Sequence, residues 1–158
     1  MENIRQASER DVSRIAEILI FSKRVNYRPI FENDTVSFGE MQVCPLAEAL
    51  LREPAVLHHY WVYDDGIVKG LVRLEDDEIR ELYVEPFFTG GGIGARLLRF
   101  AAEEKGCRWL WVLEKNLRAI RFYRRNGFEP TGVRRIQPGT TETVIRLERT
   151  AAAPVSPD

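Results

Sequence analysis

The sequence predicts an α/β fold in which one mixed, mostly antiparallel sheet carries helices on both faces. Three observations lead there. The apolar spacing alternates along the chain between a helical period near 3.6 and a strand period of two. A hairpin signal, Asp65-Gly66, lies between two alternating runs. The stretch "LYVEPFFTGGGIGARLLRF", residues 82–100, passes from a strand through a glycine run into an amphipathic helix. With 158 residues, 44% hydrophobic and 30% charged, the chain is sized for one core burying roughly two thirds of its unfolded surface. Residues 1–150 are therefore read as one domain, and 151–158, "AAAPVSPD", as a disordered tail.

"IRQAS" reads as a short first strand, and Ser8 or Asp11 as the N-cap of a helix whose Val12, Ile15, Ile18 and Leu19 share a face. Pro29 is expected to end that helix. Residues 26–44 read as an irregular connection, and "PLAEALLRE" as a second helix closed by Pro54. From Val56 the period changes to two: "VLHHYWVY" and "IVKGLVRL" form the hairpin, "EDDE" a second turn, and "IRELYV" a third antiparallel strand. After the glycines, Ile93, Leu97, Phe100 and Ala101 fall on one helical side, and Gly106 is a stop. "RWLWVL" is continuously apolar, as suits a strand buried on both faces. Asn116 can cap a helix with Ala119, Phe122 and Tyr123 on one face, terminated at Asn126-Gly127. "TETVIRLER" closes the sheet.

Composition excludes several function classes. The net charge is −1, which argues against a general nucleic-acid binder. Residues 1–85 hold 10 Lys/Arg against 17 Asp/Glu, and 86–158 hold 13 against 7, so the C-terminal half is suited to an anion and the N-terminal half to a cation. No apolar run approaches the roughly 20 residues of a membrane span, and the first residues lack a signal-peptide pattern. A cytoplasmic protein without a membrane partner is expected. Cys44 and Cys107 read as reduced thiols, and with His58 and His59 the only histidines, no metal site is expected.

A strand, a glycine-rich turn and a helix start together make an anion site, because first-turn N–H groups lack intrahelical partners and the helix dipole favours negative charge. Gly90, Gly91, Gly92 and Gly94 let a phosphate approach those N–H groups closely. A P-loop is excluded, since Ala95 and Arg96 stand where Lys-Ser/Thr is required. A dinucleotide fingerprint is met formally by Gly90, Gly92 and Ala95, with Glu114 some 20 residues on. Against it stand the five residues "EPFFT" before the first glycine and the hairpin-linked strands.

A third candidate for the phosphate ligand, acyl-coenzyme A, comes from a resemblance. "IRELYVEPFFTGGGIGARLL" resembles the central motif of the GNAT superfamily of N-acetyltransferases, and "NLRAIRFYRRNGFEPTG" is similar to its second motif, in the expected order and separation. The resemblance covers about residues 3–149. It implies the GNAT fold, with the sheet splayed around the pantetheine arm, and transfer of an acetyl group from acetyl-CoA to a primary amine within a ternary complex. By the same resemblance, Leu82, Tyr83, Val84, Thr89, Gly90, Gly91, Gly92, Ile93, Gly94, Ala95, Asn116 and Phe122 hold the cofactor. Glu81 is the base acting on the amine, Tyr123 is the acid that protonates the leaving thiolate, and a backbone N–H near Tyr83 or Val84 meets the developing oxyanion. The family's Arg/Gln falls here on Thr89, for which Arg96, Arg121 or Arg124 are candidate substitutes.

The resemblance also places the acceptor against the first two helices and their connection, with Tyr27, Phe31, Glu32, Asp34 and Phe38, and beside His58, His59 and Tyr60. Acidity there would suit a cationic amine: a polyamine, an amino acid, an aminoglycoside-like antibiotic or a protein N-terminus. The alternative function is a GNAT-fold module that binds acyl-CoA with little turnover. Exposed strand edges leave room for a homodimer.

Overall fold

A computed structural model describes residues 2–31 and 43–150. Strand β1 (Ile4–Gln6) leads through a 3-10 turn (Glu9–Asp11) into helix α1 (Val12–Phe31); α2 (Val43–Arg52) and the short α3 (Pro54–Leu57) follow. Strands β2 (Tyr60–Asp64), β3 (Val68–Glu75) and β4 (Glu78–Val84) precede α4 (Ile93–Arg99), which continues as a π-type turn to Glu104. Then come β5 (Trp109–Leu113), α5 (Leu117–Arg125), β6 (Phe128–Ile136) and β7 (Thr143–Arg149).

The seven strands form one sheet in the order β1-β2-β3-β4-β5-β7-β6. All pairings are antiparallel except β4 with β5, which α4 connects in a crossover. The mixed sheet is the expected one. Alternation along β2 and β3 sends Val62 and Leu71 to a cluster with Ile15, Ile18 and Leu19 of α1, while Tyr63 and Val72 join Leu97, Leu98 and Phe128 on the α4 side. Helices thus cover both faces.

The turns behave as their residues dictate. Gly66 takes φ 124° in the first hairpin, Asp76 takes φ 50° in the second, and Gly106 and Gly127 take φ 71° and 92° after their helices. Cys107 is buried, and burial, with the charge of Asp77, pushes its thiol up to about 11, so it packs as a hydrophobe.

Three elements differ from the sequence-based expectation. Helix α1 runs on through Pro29, because in a last turn the missing N–H removes a single hydrogen bond. The strand expected from Val56 starts at Tyr60. Pro54 pre-sets the first helical φ, and Leu57 and His58 donate to the carbonyls of Glu53 and Pro54, giving one helical turn first. The apolar β5 is covered by helix on one face only. Leu110 and Val112 enter the α4-side core, whereas Trp109 and Trp111 lie under the guanidinium groups of Arg146 and Arg135, each 4.2 Å from the ring centroid.

The first strand is tied down by charge. Arg5 donates to both oxygens of Asp11 at 2.8 and 2.9 Å and to Asp64 at 2.9 Å, and the Ser8 N–H donates to Asp11 at 2.8 Å. Burial alone would raise the Asp11 carboxyl, yet the Arg5 and Ser8 hydrogen bonds hold it below its usual value. A depressed folded-state value means stability that is present above the unfolded carboxylate range and lost as pH falls through the folded value. Asp11→Asn is therefore expected to cost about 2 kcal/mol near neutral pH, or about 4–8 °C in Tm, and to flatten the loss of stability below about pH 4. Thermal melts across pH would refute this if the acid limbs of the two proteins were parallel.

Candidate active site

Sequence places the glycine run where backbone must be bare, and the structure divides that run. Gly90 and Gly92 adopt φ 90° and 81°, and a Cβ on either would meet no atom within 4 Å, so both are required by conformation and both face open space. Gly94 differs: a Cβ there would lie 3.4 Å from the Phe122 ring and 3.6 Å from Val84, ordinary van der Waals contact, so the position packs against α5 without a steric need for glycine. The first intrahelical bond is Arg96 N–H to Gly92 O at 3.1 Å, which leaves the amides of Ile93, Gly94 and Ala95 without intrahelical acceptors. The side chains of Ile93 and Ala95 are buried, so these two offer only backbone to a ligand. A groove of about 690 Å³ opens over these amides, bordered also by Thr89, Asn116, Phe122 and Tyr123.

The groove exists because β4 and β5 part company. Only Glu78 with Trp109 and Ile79 with Leu110 pair between them, after which β4 continues to Val84 and β5 to Leu113 with a gap between. The Glu85 N–H donates to Lys69 O on β3 at 2.8 Å. Strand alternation therefore turns the Tyr83 N–H toward β3 and the Val84 N–H toward the gap. Of these two N–H groups, the one turned to the gap is that of Val84.

A bulge in β4 decides which side chains meet on the other side. Arg73 pairs with Glu81 but Leu74 with Ile79, so Arg80 is the extra residue. Ile79, Leu82 and Val84 then pack on the α4 side, while Tyr83 packs toward α1 and Glu81 receives the Tyr60 hydroxyl there at 3.0 Å. Glu78, three residues before Glu81, lines the same cleft. In an unbroken strand, residues three apart point to opposite faces.

Glu81 sits in a cage. Arg73 lies 3.3 Å and Lys23 3.6 Å from its carboxylate. Burial, and then the Glu81 charge, raise the Tyr60 phenol well above its ordinary value, keeping it a donor. The second carboxylate oxygen, Oε2, is buried without a hydrogen bond among the described residues. It is the oxygen that faces the Lys23 ammonium, 3.6 Å away, an ion pair longer than a hydrogen bond. This cleft, about 440 Å³, shares Leu82, Tyr83, Asn116, Ala119 and Tyr123 with the groove, so the two spaces meet at the strand gap. Tyr123 is held edge-on between Phe122 and Phe128, with ring centroids 5.2 and 6.4 Å away.

Asn116 caps α5, its Oδ1 accepting the Ala119 N–H at 3.2 Å, and still borders both spaces. Thr89 borders the groove, but its hydroxyl donates to Pro86 O at 3.0 Å. The proposed substitutes for the missing Arg/Gln do not enter: Arg96 donates to the Tyr63 hydroxyl at 2.8 Å, Arg124 pairs with Glu129 at 3.1 Å, and Arg121 is absent from the lining. Arg118 and Arg125 border it instead, a pair seven residues apart whose helical spacing could have revealed them. His58 and His59 are exposed and do not line the cleft; His59 lies 3.9 Å from Glu75. Glu32, Asp34 and Phe38 lie outside the described residues, as do the side chains of Tyr27 and Phe31. The cleft wall that is described carries more cationic than acidic groups, contrary to the acidity expected of it. Among the described residues, no helix is long and apolar enough to cross a membrane. No cluster of three or more His, Cys, Asp or Glu placed to hold a metal ion occurs among them.

Comparison with known proteins is consistent with this geometry. Residues 57–130 match the family model described as the acetyltransferase (GNAT) domain. An uncharacterized N-acetyltransferase of Methanocaldococcus jannaschii is 42% identical over 71 residues, 42% of this chain and 31% of that protein. One of Mycobacterium tuberculosis is 38% identical over 85 residues, 48% of this chain and 54% of that protein, so the matches span about half or less of these relatives. Among solved structures, the PaiA N-acetyltransferase of Thermoplasma acidophilum in complex with coenzyme A superposes with TM-score 0.65 at 21% identity, covering 92% of this chain and 97% of that one. Apo YjaB of Escherichia coli gives TM-score 0.72 at 21% identity, covering 94% and 97%. YncA of Salmonella typhimurium with acetyl-CoA gives 0.64 at 19% identity, covering 98% and 96%. Residues 57–130, which contain the splayed strands and both motifs, thus resemble the acetyltransferase (GNAT) domain in sequence, and the fold is the one these solved structures share.

Proposed function

We propose that the protein is an N-acetyltransferase that moves an acetyl group from acetyl-CoA to a primary amine by direct transfer within a ternary complex. One observation carries the reading: a bare-backbone groove and a carboxylate-bearing cleft open on either side of one strand gap, with Tyr123 bordering both and Glu81 bordering the cleft. That the PaiA and YncA structures hold coenzyme A and acetyl-CoA supports it.

The residues present fit the cofactor. Amides of Ile93, Gly94 and Ala95 meet the pyrophosphate over Gly90, Gly91 and Gly92, and Arg118 and Arg125 add positive charge at the rim. The parted edge of β4 from Leu82 to Val84 receives the pantetheine arm, with Asn116 and Phe122 opposite. Bound acetyl-CoA supplies the activated acetyl group. Glu81 Oε2 takes the proton of the acceptor's ammonium, directly or through water, because an alkyl ammonium with a pKa near 10.4 is neutral only about 0.04% of the time at pH 7. The Val84 N–H meets charge developing on the carbonyl oxygen, and the Tyr123 hydroxyl returns a proton to the departing thiolate.

The direct test is a thermal shift with acetyl-CoA, CoA, NAD and ATP in parallel. At about 100 times its Kd, acetyl-CoA is expected to raise Tm by about 5–10 °C, while NAD and ATP leave it unchanged. Gly92→Val is expected to abolish the acetyl-CoA shift. Gly106→Val is the control, since Gly106 has a similar φ of 71° and equally open space but lies outside the groove; it lowers Tm and keeps the ligand shift. An unchanged shift in Gly92→Val would place the pyrophosphate elsewhere. The tie between Thr89 and Pro86 favours one second reading, an acyl-CoA-binding module with little turnover. A Tm rise without thiol release across an amine library would establish it.

A further inference from the structure

The cleft beside Glu81 holds a charge that acetyl transfer by itself does not use. Six charged side chains line it: Lys23, Arg73, Arg80 and Arg135 against Glu78 and Glu81. Three of the cations are engaged. Lys23 and Arg73 flank Glu81, and Arg73 and Arg80 both pair with Glu75. Arg135 is different. No carboxylate among the described residues pairs with it, and its guanidinium lies over Trp111, 4.2 Å from the ring centroid. Glu78 is the remaining acid, and Arg80, Arg135 and Arg146 all act on its charge, so this wall stays net cationic.

A guanidinium stacked on an indole gives one face to the ring and keeps its planar fork of N–H donors for something else. That fork matches a carboxylate, which it can hold through two parallel hydrogen bonds. The stack also fixes the side chain before a ligand arrives, which reduces the ordering cost of binding. A polyamine or an aminoglycoside would bring further positive charge to a wall of four cations and two carboxylates. A simple monoamine would leave the donors of the exposed Arg135 to water and the net positive charge of the wall unmatched. An acceptor bearing both an amine and a carboxylate meets neither difficulty, and about 440 Å³ is within the ~300–1,000 Å³ usual for small-molecule sites.

We propose that the acceptor is a small amino carboxylate, its amine directed to Glu81 and Tyr123 and its carboxylate held by Arg135 on the Trp111 platform. This rests on the acetyltransferase reading above and deepens it.

Matched pairs test the proposal: L-leucine with isopentylamine, L-phenylalanine with phenethylamine, and L-lysine with cadaverine, each titrated into CoA-saturated protein by saturation-transfer NMR. At least one amino acid is expected to bind about 10–100-fold more tightly than its decarboxylated partner. Arg135→Gln, checked for an unaltered Tm without ligand, is expected to erase that preference, and Arg135→Lys to retain part of it. Equal binding within every pair, tighter binding of the amines, no binding by any member, or a preference that survives in Arg135→Gln would each overturn the proposal. All four leave the acetyltransferase reading in place, because the acetyl-CoA melting shift is measured without an acceptor. Loss of that shift in the unmodified protein would bring down both.

Discussion

Tyr123→Phe is expected to lower kcat by about 10²–10⁴-fold while acetyl-CoA affinity changes little. The substitution removes one oxygen and keeps the ring, so the edge-on contacts with Phe122 and Phe128 that orient α5 against the core persist. Loss of turnover without loss of binding is the signature of a group that acts during transfer and not before it. Thiol release under saturating acetyl-CoA, set beside the acetyl-CoA melting shift, measures both quantities. Unchanged kcat would remove Tyr123 from the proton path, and an equal fall in binding would make it a wall of the groove only.

Glu81→Gln is expected to lower kcat/KM by about 10²-fold at pH 7. Glutamine keeps the shape and still accepts the Tyr60 hydroxyl, but cannot take a proton from the acceptor, and Arg73 and Lys23 lose a counterion. The pH profile separates these effects. Without a base the rate depends on the small neutral fraction of free amine, which rises about tenfold per pH unit up to the amine's own pKa near 10.4. The deficit of the variant should therefore shrink as pH rises. A deficit that stays constant from pH 7 to 10 would mean that Glu81 positions Arg73 and Lys23 and does not accept the proton.

Much of the site was legible in the residues because its rules are local. Positive φ at Gly92, an N-cap at Asn116 and the helical face of Phe122 and Tyr123 each depend on a few neighbours in the chain. The two motifs then located the groove and the gap. Other expectations failed where a distant element intervened. Arg96 is adjacent to the glycine run, but β2 presents the Tyr63 hydroxyl to it and draws it away from the groove. Arg118 and Arg125 take that position because α5 packs beside α4 through Gly94 and Phe122. β5 reads as a strand buried on both faces, yet arginines of β6 and β7 cover its tryptophans.

Period, capping and turn chemistry by themselves determined the order of elements and the bare backbone before α4, since each depends on contacts within about one turn or one hairpin, while Glu81 and Tyr123 became candidates through the resemblance of the two motifs. Which charges meet was decided only in three dimensions. The bulge at Arg80 puts Glu78 and Glu81 in the same cleft, and register across β2, β3 and β4 brings Tyr60 and Arg73 to Glu81. Pairing of β5 with β7 and of β7 with β6 carries Arg135 over Trp111. Register is fixed by burying one face of each strand against a core assembled from the whole chain, so no window of sequence contains it.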